Sequence, residues 1–126
     1  MDVPEDRRYT RDHEWAKLED GRVRVGITDY AQDALGDVVF VKVPEAGAAV
    51  DAGGAFSEVE STKSVSEVYA PVAGTVVAVN EALADSPQAL NEDPYGEGWI
   101  AVIEPSDPTA HDFLLDAAAY RELISE

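Results

Sequence analysis

The chain is notable first for the residues that it lacks. Cysteine is absent from all 126 residues, which excludes disulfides, thiolate metal sites and a cysteine nucleophile. Lysine occurs only as Lys17, Lys42 and Lys63. No apolar stretch approaches the length that spans a membrane. The polar, acidic N-terminal segment resembles neither a signal peptide nor a transit peptide, so we expect a cytoplasmic protein.

Positive charge is also scarce. Nine basic residues stand against 26 acidic ones, which gives a formal net charge of −17. Such a surface repels nucleic acids and anionic membranes, so we expect neither as a partner. Apolar residues make up 45% of the chain and recur in short periodic runs, which indicates one folded domain over residues 1–126. An acidic coat of this kind is typical of halophilic proteins.

The sequence carries no recognisable catalytic motif. Its serines lack a G-x-S-x-G setting, and no glycine-rich loop precedes a helix to bind phosphate. The two histidines, His13 and His111, lie far apart without the spacing of metal ligands. We interpret His13 beside Glu14 as an ordinary pair at the start of a strand. These absences favour a carrier or binding module over an enzyme.

Residues 56–69 contain the most informative local pattern of the chain. It reads F-S-E-V-E-S-T-K-S-V-S-E-V-Y, two alternating runs joined by small polar residues, and this pattern predicts a β-hairpin. Lys63 lies at or next to its tip. On spacing alone, a solvated turn lysine is the simpler interpretation, since turns are usually exposed. A covalent attachment point is the alternative.

The flanking segments predict further strands and a short helix. Asp20-Gly21, followed by alternating valines, predicts a tight hairpin turn. Thr28 and Gly36 are suited to begin and end a short helix. The apolar run 38–43 predicts a strand buried on both faces or nearly so. The pattern P-x-A-G-x-x-V occurs at 44–50 and again at 71–77, which predicts two half-units that close on each other.

The last third of the chain predicts one more strand and several helical turns. Ser86-Pro87 is suited to start a brief helical turn, and residues 99–103 read as a strand. Asp107-Pro108 and Asp116 are suited to begin helices. Helical spacing of apolar residues follows Asp116.

Several longer motifs, in order along nearly the whole chain, resemble the glycine cleavage H-protein family. The matching stretches are Y-T-x-x-H-E-W from Tyr9, V-G-I-T-D-Y-A-Q-D-A-L-G-D-V-V-F-V from Val25, V-E-S-T-K-S from Val59, A-P-V-A-G from Ala70, V-N-E-A-L from Val79 and N-E-D-P-Y-G-E-G-W from Asn91. The resemblance implies a mainly β fold, a lipoyl-domain-like hybrid barrel-sandwich of two small antiparallel sheets with short, mostly C-terminal helices. The lipoyl core would span about 22–104 and the C-terminal helices about 107–125.

The resemblance also implies the functional residues. Lys63 would carry lipoate in amide linkage, with Glu60 and Ser61 as the context of the attachment motif. Glu14 and Glu67 stand where the family has acidic residues near a cleft that receives the loaded arm. Some relatives have histidine at the position of Ala34, so a histidine role there does not carry over to this chain.

The implied function is that of a non-catalytic carrier in glycine cleavage. Glycine decarboxylase, a pyridoxal-phosphate enzyme, would load an aminomethyl group as the dithiolane opens. Aminomethyltransferase would pass the carbon to tetrahydrofolate, and dihydrolipoyl dehydrogenase would reoxidise the dithiol. A lipoate ligase or lipoyltransferase would attach the cofactor.

Other carrier roles remain open at this point. A biotin carrier would be expected to have methionine on both sides of the lysine, where this chain has Thr62 and Ser64. Lipoyl domains of 2-oxo acid dehydrogenases favour aspartate before the lysine. An H-like scaffold, or a relay that donates lipoate to other complexes, would have the same attachment lysine.

Overall fold

Two antiparallel sheets account for most of the regular structure. A computed structural model describes residues 1–125, and Glu126, which the predicted domain includes, lies outside the described residues. The nine strands are β1 (Arg8–Tyr9), β2 (Glu14–Glu19), β3 (Arg22–Ile27), β4 (Val38–Lys42), β5 (Ala49–Val50), β6 (Ala55–Ser61), β7 (Val65–Tyr69), β8 (Gly74–Val79) and β9 (Ala101–Pro105). The six-stranded sheet has the order β1-β2-β3-β9-β8-β5, and the three-stranded sheet has the order β4-β6-β7. The predicted fold class is confirmed.

Short helices connect the strands and complete the C-terminus. They are α1 (Asp29–Leu35), α2 (Ala82–Asp85), α3 (Ala89–Glu92) and α4 (Ala117–Ile124), with a 3₁₀ turn at Ala110–Phe113. Three of the four α-helices therefore lie between strands, and fewer are C-terminal than the sequence predicts. The Thr28 hydroxyl accepts a hydrogen bond from the Ala31 amide, and Gly36 ends α1 at a φ of 79°, so both predicted caps of α1 are confirmed.

The β2–β3 hairpin is confirmed at the predicted turn. Asp20 and Gly21 both have positive φ, 52° and 80°, as a primed two-residue turn requires. Glu19 pairs with Arg22 across it.

The two P-x-A-G-x-x-V segments lie side by side. Gly47 donates a backbone hydrogen bond to the Val76 carbonyl at 2.7 Å, and the Val76 amide donates to the Ala48 carbonyl at 2.9 Å. Ala49 then pairs with Thr75 in the ladder between β5 and β8. The two segments therefore pair with each other within the six-stranded sheet, and the closure of two half-units stays a prediction.

The prediction that residues 38–43 form a strand buried on both faces or nearly so is wrong. The strand β4 covers Val38–Lys42, and only Val38 and Val41 are buried in the core. The side chains of Val39 and Phe40 are 55% and 48% exposed. A register shift between Val38 and Phe40 interrupts the alternation and leaves both of these neighbours outside. An apolar run alone could not reveal the bulge.

The C-terminal third follows the prediction with shifted boundaries. The helix predicted to start at Ser86-Pro87 begins at Ala89, and the final strand runs from Ala101 to Pro105. The helix predicted to begin at Asp107-Pro108 is only the 3₁₀ turn Ala110–Phe113. Asp116 caps α4 by accepting a hydrogen bond from the Ala119 amide, as predicted.

Buried side chains form two clusters. The larger one fills the space between the sheets. The smaller one is aromatic and joins the N-terminal strands to α4 through Tyr9, Trp15 and Tyr120. The indole of Trp15 lies flat over its cross-strand neighbour Gly26, where an added β-carbon would be only 2.6 Å from the ring. Only glycine therefore permits this packing, which fixes β2 beside the functional residues described below.

Surface charge leads to the first prediction. Nine cations cannot neutralise 26 acids, so self-repulsion should weaken the fold at low ionic strength. The Debye length falls from about 30 Å at 0.01 M salt to about 3 Å at 1 M. We expect the melting temperature to rise steeply with potassium chloride. Tetramethylammonium chloride should act similarly if screening is the cause, and a melting temperature that stays flat to molar salt would contradict the prediction.

Candidate functional site

The predicted hairpin is formed by β6 and β7. Glu60 pairs with Val65, and the Ser61 amide donates to the Ser64 carbonyl at 2.8 Å, which leaves Thr62 and Lys63 as the two residues of the turn. The Ser61 hydroxyl oxygen accepts hydrogen bonds from the amides of Lys63 and Ser64, each at 3.1 Å. Ser61 therefore determines the shape of the turn that carries Lys63.

A second contact holds the turn against the loop after α1. The Thr62 amide donates to the Asp37 carbonyl at 3.1 Å. A β-carbon at Gly36 would lie 3.3 Å from Lys63 Cε, so the lysine side chain runs closely past that glycine. Lys63 is exposed, and it takes part in no ion pair with another residue of the 1–125 range. The amine is thus accessible at the end of a braced hairpin.

Glu60 faces outward on the same sheet. It is exposed and lies in one cross-strand row between Phe40 and Val65. In the adjacent row, Val41 and Val59 are buried. Glu60 is therefore on the opposite side of the hairpin from the core.

A cleft of about 290 Å³ opens beside the hairpin turn. It lies between the start of β2, helix α1 and the strand β7. Its lining residues are Asp12, His13, Glu14, Ile27, Tyr30, Ala31, Ala34, Leu35, Val59, Ser64, Val65, Ser66, Glu67 and Val68. The two glutamates predicted from the sequence therefore line the same cleft, and Ser64 and Val65 connect it to the turn.

The Glu14 carboxylate is buried in this cleft, with only 2% of the residue exposed. One oxygen accepts a hydrogen bond from the Thr10 hydroxyl at 2.6 Å, and the other accepts from the Tyr69 amide at 3.3 Å. Burial raises the pKa of Glu14 from 4.5 to about 7, although both hydrogen bonds oppose the rise. The group therefore titrates near neutral pH.

Glu67 is exposed on β7, at the outer side of the cleft. It pairs across the sheet with Glu58, which does not line the cleft. These two glutamates thus differ in environment, because Glu14 is desolvated and Glu67 is hydrated.

His13 is a further polar group of the cleft, and the interpretation from sequence missed it. Its backbone adopts a φ of 70°, and its ring packs on Tyr30 with centroids 4.6 Å apart. His13 Nδ1 lies 2.8 Å from the Tyr120 hydroxyl, a residue 107 positions away. Burial lowers the pKa of His13, and the Asp12 carboxylate opposes this. No local pattern could reveal such a distant partner.

Thr10 is the other residue that the sequence interpretation missed. Besides donating to the Glu14 carboxylate, its hydroxyl accepts from the amides of Asp12 and Glu14, each at 3.2 Å. Its signal in the sequence is its place four residues before Glu14, within the Y-T-x-x-H-E-W stretch. Ala34, where some relatives have histidine, contributes a methyl group to the cleft wall.

The described part of the chain contains neither a metal-binding group of side chains nor a membrane-spanning helix. Residues 1–125 contain no group of three or more histidine, cysteine or acidic side chains arranged to hold a metal ion. No helix among them is long and apolar enough to cross a membrane.

The model of the glycine cleavage H-protein family matches residues 7–126. The chain belongs to this family. A relative from Halorhodospira halophila, a glycine cleavage system H protein, is 58% identical over 125 residues, which cover 98% of this chain and 96% of the relative. Another, from Anaeromyxobacter sp. (strain K), is 54% identical over 126 residues, covering 100% and 98%.

A solved structure agrees with these sequence relatives. The crystal structure of a glycine cleavage system H protein from Mycobacterium marinum matches with a TM-score of 0.90 and 46% identity, covering 98% of this chain and 100% of that one. Family membership makes the chain a lipoyl carrier subunit of glycine cleavage and not an enzyme. It also implies the other enzymes of that system as partners.

Proposed function

We propose that Lys63 is the residue that carries lipoate, in amide linkage, and that Glu14 and Glu67 line the resting place of the loaded arm. The observation that carries this proposal is an exposed lysine on a braced hairpin turn beside an acidic cleft. Glu60 and Ser61 form the attachment context, Glu60 as an exposed acid on the approach and Ser61 as the residue that shapes the turn.

The residues around Lys63 are suited to the lipoyl group. The cleft combines apolar walls from Ile27, Leu35 and Val59 with the carboxylate of Glu14, so it can accept both an aliphatic chain and an ammonium group. Its volume of about 290 Å³ is at the lower end of ordinary ligand pockets. Ser64 and Val65 place its rim next to the attachment turn.

When attached, the lipoyl group supplies dithiol–disulfide chemistry and a sulfur that carries the one-carbon unit. The protein supplies presentation and protection. Its hairpin holds the arm at a high effective concentration for each partner. Within the cleft, Glu14 binds the ammonium of the cargo, and the apolar walls keep water away from it.

We infer four enzymatic partners from this role. Glycine decarboxylase, with pyridoxal phosphate, loads the aminomethyl group, and aminomethyltransferase passes its carbon to tetrahydrofolate. Dihydrolipoyl dehydrogenase reoxidises the dithiol. A lipoate ligase or lipoyltransferase modifies Lys63 beforehand.

Reconstitution tests the proposed function. The purified chain should gain one lipoyl mass with lipoate ligase, ATP and lipoate, and only the modified form should support glycine–bicarbonate exchange by the decarboxylase. Modified protein that supports no exchange, but copurifies with other lipoate-dependent complexes, would instead indicate a lipoate relay or scaffold. No modification under any condition would contradict both roles.

Glu14→Ala should weaken the protection of the cargo. A charge-assisted hydrogen bond to an ammonium is worth roughly 1.5–3 kcal/mol, so its loss should speed cargo escape several-fold or more. We expect the loaded Glu14→Ala protein to release formaldehyde faster than wild type when aminomethyltransferase is absent, while accepting lipoate normally.

The matched control for this experiment is Glu58→Ala. It removes the same charge from the three-stranded sheet, at the position that pairs with Glu67 but lies outside the cleft. Release at the wild-type rate from this variant, together with faster release from Glu14→Ala, would support a local role. Equal rates for all three proteins would mean that Glu14 does not hold the amine.

A further inference from the structure

A chain of hydrogen bonds connects the C-terminal helix to the cleft. The Tyr120 hydroxyl on α4 lies 2.8 Å from His13 Nδ1 and 2.7 Å from the Thr28 hydroxyl. The Thr28 hydroxyl also accepts from the Ala31 amide at 3.1 Å. Thr28 and Tyr120 are completely buried, so water cannot replace any of these bonds.

Only one direction of these hydrogen bonds gives every hydroxyl hydrogen an acceptor. If Thr28 donates to Tyr120, Tyr120 can donate to His13 Nδ1, and each hydroxyl hydrogen has an acceptor. In the opposite direction, Nδ1 would donate to Tyr120 and Tyr120 to Thr28. The Thr28 hydrogen would then have no acceptor among the contacts that the structure gives it, a costly arrangement in a buried site.

The other ring nitrogen of His13 must then carry the proton. Nε2 has no protein partner within residues 1–125, and it is not among fully buried polar atoms, since every such atom there has a partner. His13 and Glu14 both line the cleft. Nε2–H is thus free to meet water or a ligand.

We propose that the hydroxyls of Tyr120 and Thr28 hold His13 as its neutral Nε2–H tautomer, which makes the cleft wall beside Glu14 an uncharged hydrogen-bond donor. Tyr120 and Thr28 are positioning residues in this arrangement, because they act through His13. The consequence for function rests on the function proposed above. A neutral His13 does not compete with the cargo ammonium for the Glu14 carboxylate.

The surroundings of His13 act on its protonation in opposite directions. The titratable groups that line the cleft with His13 are the carboxyls of Asp12, Glu14 and Glu67 and the phenol of Tyr30, and Tyr120 contacts the His13 ring from α4. Carboxylates favour the imidazolium form of a neighbouring histidine. Burial and an acceptor role for Nδ1 both act against it, since an imidazolium has no lone pair to accept the Tyr120 hydrogen.

Nitrogen NMR of the full, ¹⁵N-labelled chain tests the proposal at neutral pH. Two-bond ¹H–¹⁵N correlations distinguish protonated from unprotonated ring nitrogens, and the chain has only two histidines. His111 is an internal reference, because its Nε2 lies 2.9 Å from the Ala16 carbonyl, which can only accept. We expect His13 to show the same Nε2–H pattern. A protonated Nδ1 in the wild-type protein would overturn the proposal without any variant.

Tyr120→Phe removes the donor while keeping the ring. We expect its His13 Nδ1 resonance to move to the position of an imine nitrogen without a hydrogen bond. Tyr9→Phe is the matched control, since Tyr9 stacks on Tyr120 but donates its hydroxyl to the Pro4 carbonyl. An unchanged Nδ1 resonance in folded Tyr120→Phe, or an equal change in Tyr9→Phe, would overturn the proposal. The measurement uses unlipoylated protein, so its result is independent of whether Lys63 carries lipoate.

Discussion

Lys63→Arg is expected to abolish lipoylation completely while leaving the fold intact. Arginine keeps the positive charge and the long side chain but cannot form the amide. The backbone of the turn should be unaffected, because the contacts that define it come from the Ser61 hydroxyl and the Asp37 carbonyl. Treatment with lipoate ligase, ATP and lipoate should therefore add no mass, and the protein should support no glycine–bicarbonate exchange.

The other two lysines provide matched controls. Lys17 forms ion pairs with Asp6 and Glu19 on the six-stranded sheet, and Lys42 lies at the end of β4. Lys17→Arg and Lys42→Arg should each accept one lipoyl group, as wild type does. Modification that persists in Lys63→Arg, and disappears in one of these variants, would overturn the assignment.

The hairpin could be predicted from sequence because its determinants are local. Alternation on both strands and small polar residues between them are sufficient to indicate a turn near Lys63. The same holds for Asp20-Gly21, whose positive φ values follow from residue type, and for Thr28, which caps α1 three residues away. These features lie within a few positions of one another.

The wrong and missing predictions concern non-local contacts. The exposure of Phe40 depends on a register shift against β6, about twenty residues along the chain, which no apolar run can encode by itself. The environment of His13 depends on Tyr120, and that of Glu14 depends on the Tyr69 amide, 55 positions away. The resemblance to a family located Glu14 in a cleft, but only the fold shows how its carboxylate is held.

Glu14→Gln is expected to remove a large part of the pH dependence of stability. The folded pKa of about 7 lies above the ordinary value of 4.5, so the fold favours the protonated form. The resulting stabilisation is complete below pH 4.5 and is lost as the pH rises through 7. The difference between the two values corresponds to roughly 3 kcal/mol of unfolding free energy. Glutamine is neutral at every pH, so the Glu14→Gln protein should lose none of this unfolding free energy.

The measurement is urea unfolding at pH 5 and pH 8, in 1 M potassium chloride to screen the general charge repulsion. Wild type should lose more unfolding free energy between these pH values than Glu14→Gln, by an amount on the order of 2–3 kcal/mol. Carboxyls whose pKa is lowered, such as Asp6 and Glu19, act in the opposite direction, but they are common to both proteins and cancel. Glu67→Gln, at an exposed position, should behave like wild type.

An equal loss of stability in wild type and Glu14→Gln would show that Glu14 ionises without cost in the folded protein. The predicted result has a consequence for the proposed carrier role. Near pH 7, a substantial fraction of Glu14 would be protonated while the cleft holds no cation, which avoids a buried, unpaired charge. An ammonium group that enters the cleft would stabilise the carboxylate and expel the proton, because an opposite charge nearby lowers the pKa of an acid. The carboxyl would thus become fully charged only when the cargo is present.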